Sequence, residues 1–131
     1  MRVLLDTHIA LWAIADDPRL AAEARALIAD PDNAVVVSAA SIWEIAIKHA
    51  LARGSRNDMP ISGREALRYF QAAGYETLSI TAIHAAAAER LEQRHSDPFD
   101  RLLIAQALSE PLRLLTHDKR IADYSDTIIL V

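Results

Sequence analysis

Met1-Arg2-Val3-Leu4-Leu5-Asp6-Thr7-His8-Ile9-Ala10-Leu11-Trp12 is the stretch whose reading decides the fold. Val3, Leu4 and Leu5 form an unbroken apolar run, the pattern of a strand buried on both faces of a parallel sheet, and the run stops at a carboxylate. Ile9, Leu11, Trp12 and Ile14 then continue at helical spacing. A strand that ends in Asp and turns straight into a helix puts that Asp at the carboxyl edge of the sheet, where open α/β folds keep their ligands. Asp6 is therefore the first candidate site residue. Capping the following helix is the other use of an Asp at such a junction, and this stretch alone leaves both readings open.

Outward from this stretch, strands and helices alternate. Asp17-Pro18 reads as N-cap and first residue of a helix whose apolar stripe is Leu20, Ala24, Leu27 and Ile28, ended by Asp30-Pro31-Asp32-Asn33. Ala34 to Val37 is a second buried strand, followed by a turn from Ser38 to Ser41 and a helix from Ile42 to about Leu51. The polar run from Ala52 to Pro60 reads as a flexible loop that does not divide domains. Ser62-Gly63-Arg64-Glu65 is a capping box opening a helix, with Gly74 as its stop. Glu76 to Ile80 is a short strand, Thr81 begins an alanine-rich helix to about His95, and Asp97-Pro98-Phe99-Asp100 begins another. Leu112 to Thr116 and Thr127 to Val131 are the last strands. The alternation gives an α/β fold, a three-layer α/β/α sandwich around a mostly parallel sheet, with residues 1–131 as one domain.

Composition narrows the function. A chain of 131 residues suits one core. With 52 % apolar residues, only 5 % aromatic and much alanine, helix packing is favoured over a β-sandwich. Without cysteine there is no disulfide, thiolate zinc site or cysteine nucleophile. No uncharged run approaches a membrane span, so a cytoplasmic protein is expected. The net charge of −4 opposes bulk attraction to nucleic acid, but from Lys48 to Arg68 five bases face two acids, a local +3 that leaves −7 elsewhere. A basic flank beside an acidic site is what a metal-dependent enzyme on polyanions needs, and Arg53 and Arg56 are its candidate phosphate contacts. Taken alone, the segment is also explained as a solvated surface.

Four acids stand where this topology joins chain segments: Asp6, Glu44 in the helix after the second strand, Asp100 in the first turn after Asp97, and Asp118 after the strand ending at Thr116. Each has a local explanation. Ser41-Ile42-Trp43-Glu44 matches a capping box, Glu44 and Lys48 form an i,i+4 pair, and Asp100 and Asp118 lie where helix starts favour acids. Independent caps, however, have no reason to share one sheet edge. An all-oxygen cluster suits Mg²⁺ or Mn²⁺, which would relieve the mutual repulsion and supply the chemistry of phosphodiester hydrolysis.

Leu4-Leu5-Asp6-Thr7, Ser41-Ile42-Trp43-Glu44-Ile45, Asp97-Pro98-Phe99-Asp100-Arg101-Leu102-Leu103-Ile104-Ala105-Gln106-Ala107 and Leu114-Leu115-Thr116-His117-Asp118 resemble the successive motifs of PIN-domain proteins, in particular VapC-type toxins of toxin–antitoxin pairs. The resemblance spans essentially the whole chain in order and spacing. It implies a Mg²⁺- or Mn²⁺-dependent endoribonuclease acting on RNA, a homodimer, and a small VapB-type antitoxin whose C-terminal segment covers the site. It also implies that Asp6, Glu44, Asp100 and Asp118 are the catalytic, metal-binding acids, with Thr116 and Thr7 as polar supports. Many family members carry another residue at the fourth acidic place, and Asp97 can replace or assist Asp118.

Arg101 and Lys119 adjoin two of the acids and read as phosphate contacts or as surface ion pairs. His8 and His117 read as partly exposed neighbours of the site, Trp12 and Trp43 as core residues, and the helices between Ile42 and Ala73 as partner surface. Three other readings compete. A phosphatase with an Asp nucleophile usually has a second Asp two residues on, where this chain has His8. A receiver-type signalling module has paired acids after its first strand, where Asp6 stands alone. The third is a non-catalytic PIN-like chain that only binds RNA or its partner.

Overall fold

The structure, a computed structural model, describes residues 1–52, 59–92 and 95–131. β1 (Arg2–Leu5) is the centre of a five-stranded sheet with β2 (Ala34–Ser38), β3 (Glu76–Leu78), β4 (Arg113–Thr116) and β5 (Ile129–Leu130). The order is β3-β2-β1-β4-β5 and all four pairings are parallel. Successive side chains of a strand point to opposite faces. Val3 and Leu5 accordingly join one core with Val35, Val37 and Leu115, while Leu4 joins the other with Val36 and Leu114. The first core is covered by α1 (Thr7–Ala15), α2 (Ala22–Ala29), α3 (Ala39–Ala52) and α4 (Gly63–Ala72) through Ile9, Ala24, Ile45 and Phe70. The second is covered by α6 (Pro98–Ser109) and α7 (Lys119–Ala122) through Leu103, Ile104 and Ile121, with α5 (Ala82–Ala87) against α6. The unbroken apolar run in β1 is thus explained by cores on both its faces, and the expected α/β/α sandwich forms.

From β1 the chain moves outward to β2 and β3 on one side, then returns to place β4 and β5 on the other. The reversal opens a crevice at the carboxyl ends of β1 and β4, the place where such sheets bind ligands. Asp6 follows β1 there, and Thr116 ends β4.

Several boundaries depart from expectation, each because a side chain captures a backbone group. Asp17-Pro18 does not open α2: Asp17 Oδ1 accepts the Arg19 N–H (2.9 Å) and its carbonyl accepts the Leu20 N–H (3.0 Å), making a turn, so the helix begins at Ala22. Ser38 Oγ accepts the Ala40 N–H (3.0 Å), so α3 starts three residues early and Ser41 lies inside it, leaving no capping box with Glu44. Past α5 only a 3₁₀ turn, Ala88–Arg90, continues before the chain becomes extended at Leu91, well short of His95. β3 and β5 are each shorter than the strands expected from Glu76 to Ile80 and from Thr127 to Val131. Of the expected loop from Ala52 to Pro60, residues 53–58 lie outside the described residues. No helix among the described residues is long and apolar enough to cross a membrane.

The helix α4 forms as its sequence dictates. Ser62 Oγ accepts the Glu65 N–H and Glu65 Oε1 accepts the Ser62 N–H, both at 3.1 Å, and Gly74 takes a left-handed φ of +82° past the helix end. Gly63 is where α4 meets α3: a Cβ added there would lie 2.7 Å from the Ala46 Cβ. Gly63→Ala should therefore destabilise the chain by about 1–3 kcal/mol in urea unfolding, the ordinary cost of overpacking. At an uncrowded helical site the same change would gain up to about 1 kcal/mol, so a gain would show that the two helices are not tightly apposed.

Candidate active site

Asp6 leaves the buried strand at the crevice and is only 2 % exposed. Its Oδ1 accepts the His8 N–H (3.1 Å) and its Oδ2 accepts the Thr116 hydroxyl (2.6 Å). Asp6 thus caps α1 and also stands at the switch point of the sheet. Thr116 extends the link, since its Oγ1 also accepts the Asp118 N–H (3.1 Å).

Glu44 reaches the same edge from α3 and is 3 % exposed. The Thr7 hydroxyl donates to Glu44 Oε1 (2.8 Å) and lies within hydrogen-bond distance of Ser41 Oγ (2.9 Å). Lys48, one turn on, donates to Oε2 (2.5 Å). Burial works against the Lys48 charge, but Glu44, with help from Asp97 and Asp100, raises its pKa and keeps it an ammonium. The early start of α3 turns Ser41 and Glu44 from cap residues into groups facing Thr7 across the crevice.

α6 brings two acids. Asp97 is the N-cap, its Oδ1 accepting the Phe99 and Asp100 N–H groups (2.9 and 3.1 Å). Asp100 lies half-buried, with Oδ2 at 2.6 Å from His95 Nε2. Burial pushes the Asp100 pKa up to about 6; the His95 hydrogen bond opposes the rise, and the charges of Asp6, Asp97 and Glu44 add to it. Asp118 differs. It caps α7 through the Arg120 N–H (2.9 Å), the Arg120 guanidinium bonds both its oxygens, and this pairing holds its carboxyl below the usual range.

Asp6, Glu44, Asp97 and Asp100 therefore share one electrostatic neighbourhood, while Asp118 adjoins it through Thr116 with its charge already matched by Arg120. Among the described residues, no three acid or histidine side chains stand at the spacing of a closed metal cage. The arrangement is an open collar of oxygens.

The expected phosphate contacts have protein partners where they are described. Arg101 spends its guanidinium on the carbonyls of Ala88, Leu91, Glu92 and His95, so it clasps chain rather than facing solvent. Lys119 pairs with Asp123 on the surface (3.0 Å). Arg53 and Arg56 lie outside the described residues. Trp43 corrects a further expectation: it is 56 % exposed, its ring edge-on to Phe99 at 5.3 Å, because it meets the start of α6 instead of the sheet. Trp12 is partly buried against the first core, with His117 at 4.8 Å and the Arg19 guanidinium over its ring. A cavity of about 870 Å³ opens beside Thr7, Glu44 and Lys48 and is walled by Leu11, Trp12, Ile61 and Tyr69. His95 is the site residue that sequence reasoning passed over. It stands ahead of the helix cap, outside any periodic pattern, and only its place before Asp97-Pro98 marked it.

A parallel sheet of order 3-2-1-4-5 with acids gathered at its switch point defines the class of PIN-like α/β proteins. The PIN domain family model matches residues 3–126, and the chain belongs to the PIN-domain family. It is 35 % identical over 123 residues to Ribonuclease VapC22 of Mycobacterium tuberculosis, covering 93 % of this chain and 91 % of that one. In fold it is similar to VapBC2 of Rickettsia felis, solved with a promoter DNA fragment (TM-score 0.69, 17 % identity, 100 % and 98 % of the two chains). It is also similar to VapBC-1 of nontypeable Haemophilus influenzae (TM-score 0.65, 19 % identity, 100 % and 97 %).

Proposed function

We propose that the chain is the endoribonuclease toxin of a toxin–antitoxin pair, a single cytoplasmic PIN domain that hydrolyses RNA phosphodiester bonds with the help of Mg²⁺ or Mn²⁺. The observation that carries the reading is Asp100, driven up to about pKa 6 by burial and by three neighbouring carboxylates at the sheet's switch point. A cluster that holds negative charge at such cost fits a bound cation, and its all-oxygen donor set fits a hard one. Asp6, Glu44, Asp100 and Asp118 would hold the ion, Glu44 and Asp118 each with a paired base, Lys48 and Arg120, and with Asp97 in reserve. When bound, the ion supplies an acidified water and stabilises the charge on the leaving oxygen. The chain's own part is orientation. Thr116 and the His8 N–H fix the Asp6 carboxylate, Thr7 and Lys48 fix Glu44, and the Lys48 ammonium adds a positive charge beside the crevice for a phosphate.

The phosphatase reading gains no support, because His8 stands two residues after Asp6 where that chemistry usually has its acid/base carboxylate. The antitoxin would be a VapB-type protein, as in the similar VapBC complexes, and the apolar cavity next to Glu44 is suited to a segment of it. The chain would act as a homodimer, as is typical of the family, with α3 and α4 as its proposed surface.

The purified chain, free of antitoxin, should cleave a mixed cellular RNA pool with Mg²⁺ or Mn²⁺ and should stop in EDTA. Cleavage that continues in EDTA would refute the metal-dependent reading. A folded chain that binds Mn²⁺ and RNA yet cleaves none of the pool would favour the non-catalytic one.

A further inference from the structure

His95 is 7 % exposed, and its Nε2 lies 2.6 Å from Asp100 Oδ2, among the shorter hydrogen bonds at the site. With that oxygen engaged, Asp100 Oδ1 has no hydrogen-bond partner among the described residues. His95 does not belong to a helix or strand, so something else must hold it in place. That holder is Arg101, the residue after Asp100. Its Nη1 donates to the carbonyls of Glu92 and His95 (3.0 and 3.2 Å), and its Nη2 donates to those of Ala88 and Leu91 (3.1 and 3.3 Å). One guanidinium thereby joins four carbonyls at and beyond the broken helix end, those of Ala88 and Glu92 being met also by the Leu91 N–H and the Tyr124 hydroxyl. It ties them to the same turn of α6 that carries Asp100.

We propose that His95 is a positioning residue for the metal site: its Nε2–H holds Asp100 Oδ2, leaving Oδ1 as the oxygen free to ligate, and Arg101 holds the segment that delivers His95. This inference rests on the metal-dependent reading above. It gives Arg101 a definite task in place of the phosphate contact expected of it. Such a carboxylate held by a buried imidazole keeps one orientation before the ion arrives, so ordering entropy need not be lost on binding.

The test is calorimetric titration of the full chain with Mn²⁺ at pH 7, without RNA, for wild type, His95→Asn and His95→Gln. The amide nitrogen of Gln sits near the place of imidazole Nε2, whereas that of Asn sits near Nδ1 and falls short of Asp100. Loss of such a supporting partner costs about 10- to 100-fold in metal affinity, so His95→Asn should bind Mn²⁺ that much more weakly while His95→Gln keeps most of the wild-type affinity. Cleavage by His95→Asn should recover as Mn²⁺ is raised, with the KM for RNA unchanged, a pattern that general loosening of the fold would not give. Arg101→Lys should weaken Mn²⁺ binding in the wild-type background and add little to His95→Asn, because both act through one contact. Equal affinity in wild type and His95→Asn, or an equal loss in the Asn and Gln variants, would overturn the proposal alone. Absence of Mn²⁺ binding by wild type would overturn it together with the metal-dependent reading.

Discussion

An Asp100→Asn chain should cleave RNA at least about a hundredfold more slowly than wild type, and in metal-free buffer at pH 7 it should be as stable or more stable. The first half follows from chemistry, since the amide lacks the charge that binds a hard cation, and loss of a mere supporting partner already costs 10- to 100-fold. The second half follows from linkage. Between the ordinary Asp value of 3.8 and about 6, folded Asp100 keeps a proton that the unfolded chain has released. A raised carboxyl pKa means that the ionised form is the strained one, so stability from this group is greatest below about pH 4. It falls as pH rises through the window and reaches its low limit near neutrality. Two pKa units correspond to on the order of 2–3 kcal/mol, which the neutral amide would recover while still accepting the His95 Nε2–H. Urea unfolding of both chains from pH 4 to 8 reads this directly: the wild type should lose stability relative to the variant across that range. Saturating Mn²⁺ should then reverse the ranking by stabilising only the wild type. If the variant is the less stable chain at pH 7 without metal, Asp100 is not under the electrostatic load assigned to it.

The residues that were legible in sequence are those whose placement follows from burial of apolar runs or from local caps. Val3-Leu4-Leu5 located the central strand because a run without alternation needs cores on both faces, and Asp6 followed from where that run stops. Ser62 with Glu65, Gly74 and Asp97-Pro98 gave helix limits because their hydrogen bonds are made within a few residues. The misread boundaries were decided by competition between partners. Ser41 and Glu44 carry a capping-box pattern, but Ser38 captures the Ala40 N–H first, and the helix that results sends Glu44 to Thr7 and Lys48. Asp118 is the acid that the family pattern already sets apart, but that Arg120, two residues on, takes up its charge is visible only in the structure. Arg101 looked like a phosphate ligand because its four carbonyl partners come from a helix end that periodicity did not foresee. Trp43 was read by residue type, whereas its exposure depends on which neighbour α3 faces at that turn. The candidate site was thus readable as a set of acids at an edge, and unreadable in the hydrogen bonds that decide how each acid is used.

Gln106→Leu should lower the unfolding free energy by on the order of 3 kcal/mol, although the two side chains are similar in volume. Gln106 is fully buried on α6, where its Oε1 accepts the Ser38 hydroxyl (2.5 Å) and its Nε2 donates to the Ser79 carbonyl and to His84 Nδ1 (both 3.3 Å). His84 Nδ1 also accepts the Thr81 N–H (3.1 Å), and a backbone N–H can only donate, so the imidazole proton belongs on Nε2, facing Glu110. That assignment fixes the orientation of the Gln106 amide in turn. Leucine would fill the space but leave the Ser38 hydroxyl and the Ser79 carbonyl short of a partner, each at about 1–3 kcal/mol, and the greater hydrophobicity of Leu offsets only part of the sum. The effect should also reach the site. Ser38 is the residue that sets the start of α3, which carries Glu44, while Gln106 lies on α6, which carries Asp100; the Gln106–Ser38 bond therefore fixes the two acids relative to each other. In urea the midpoint should fall with the slope unchanged, and cleavage measured where the variant is still fully folded should fall as well. A change within about 0.5 kcal/mol would mean that the network is replaceable by packing alone. A large loss of stability with undiminished cleavage would mean that the positions of Glu44 and Asp100 are held by the sheet edge itself, independently of the link between their helices.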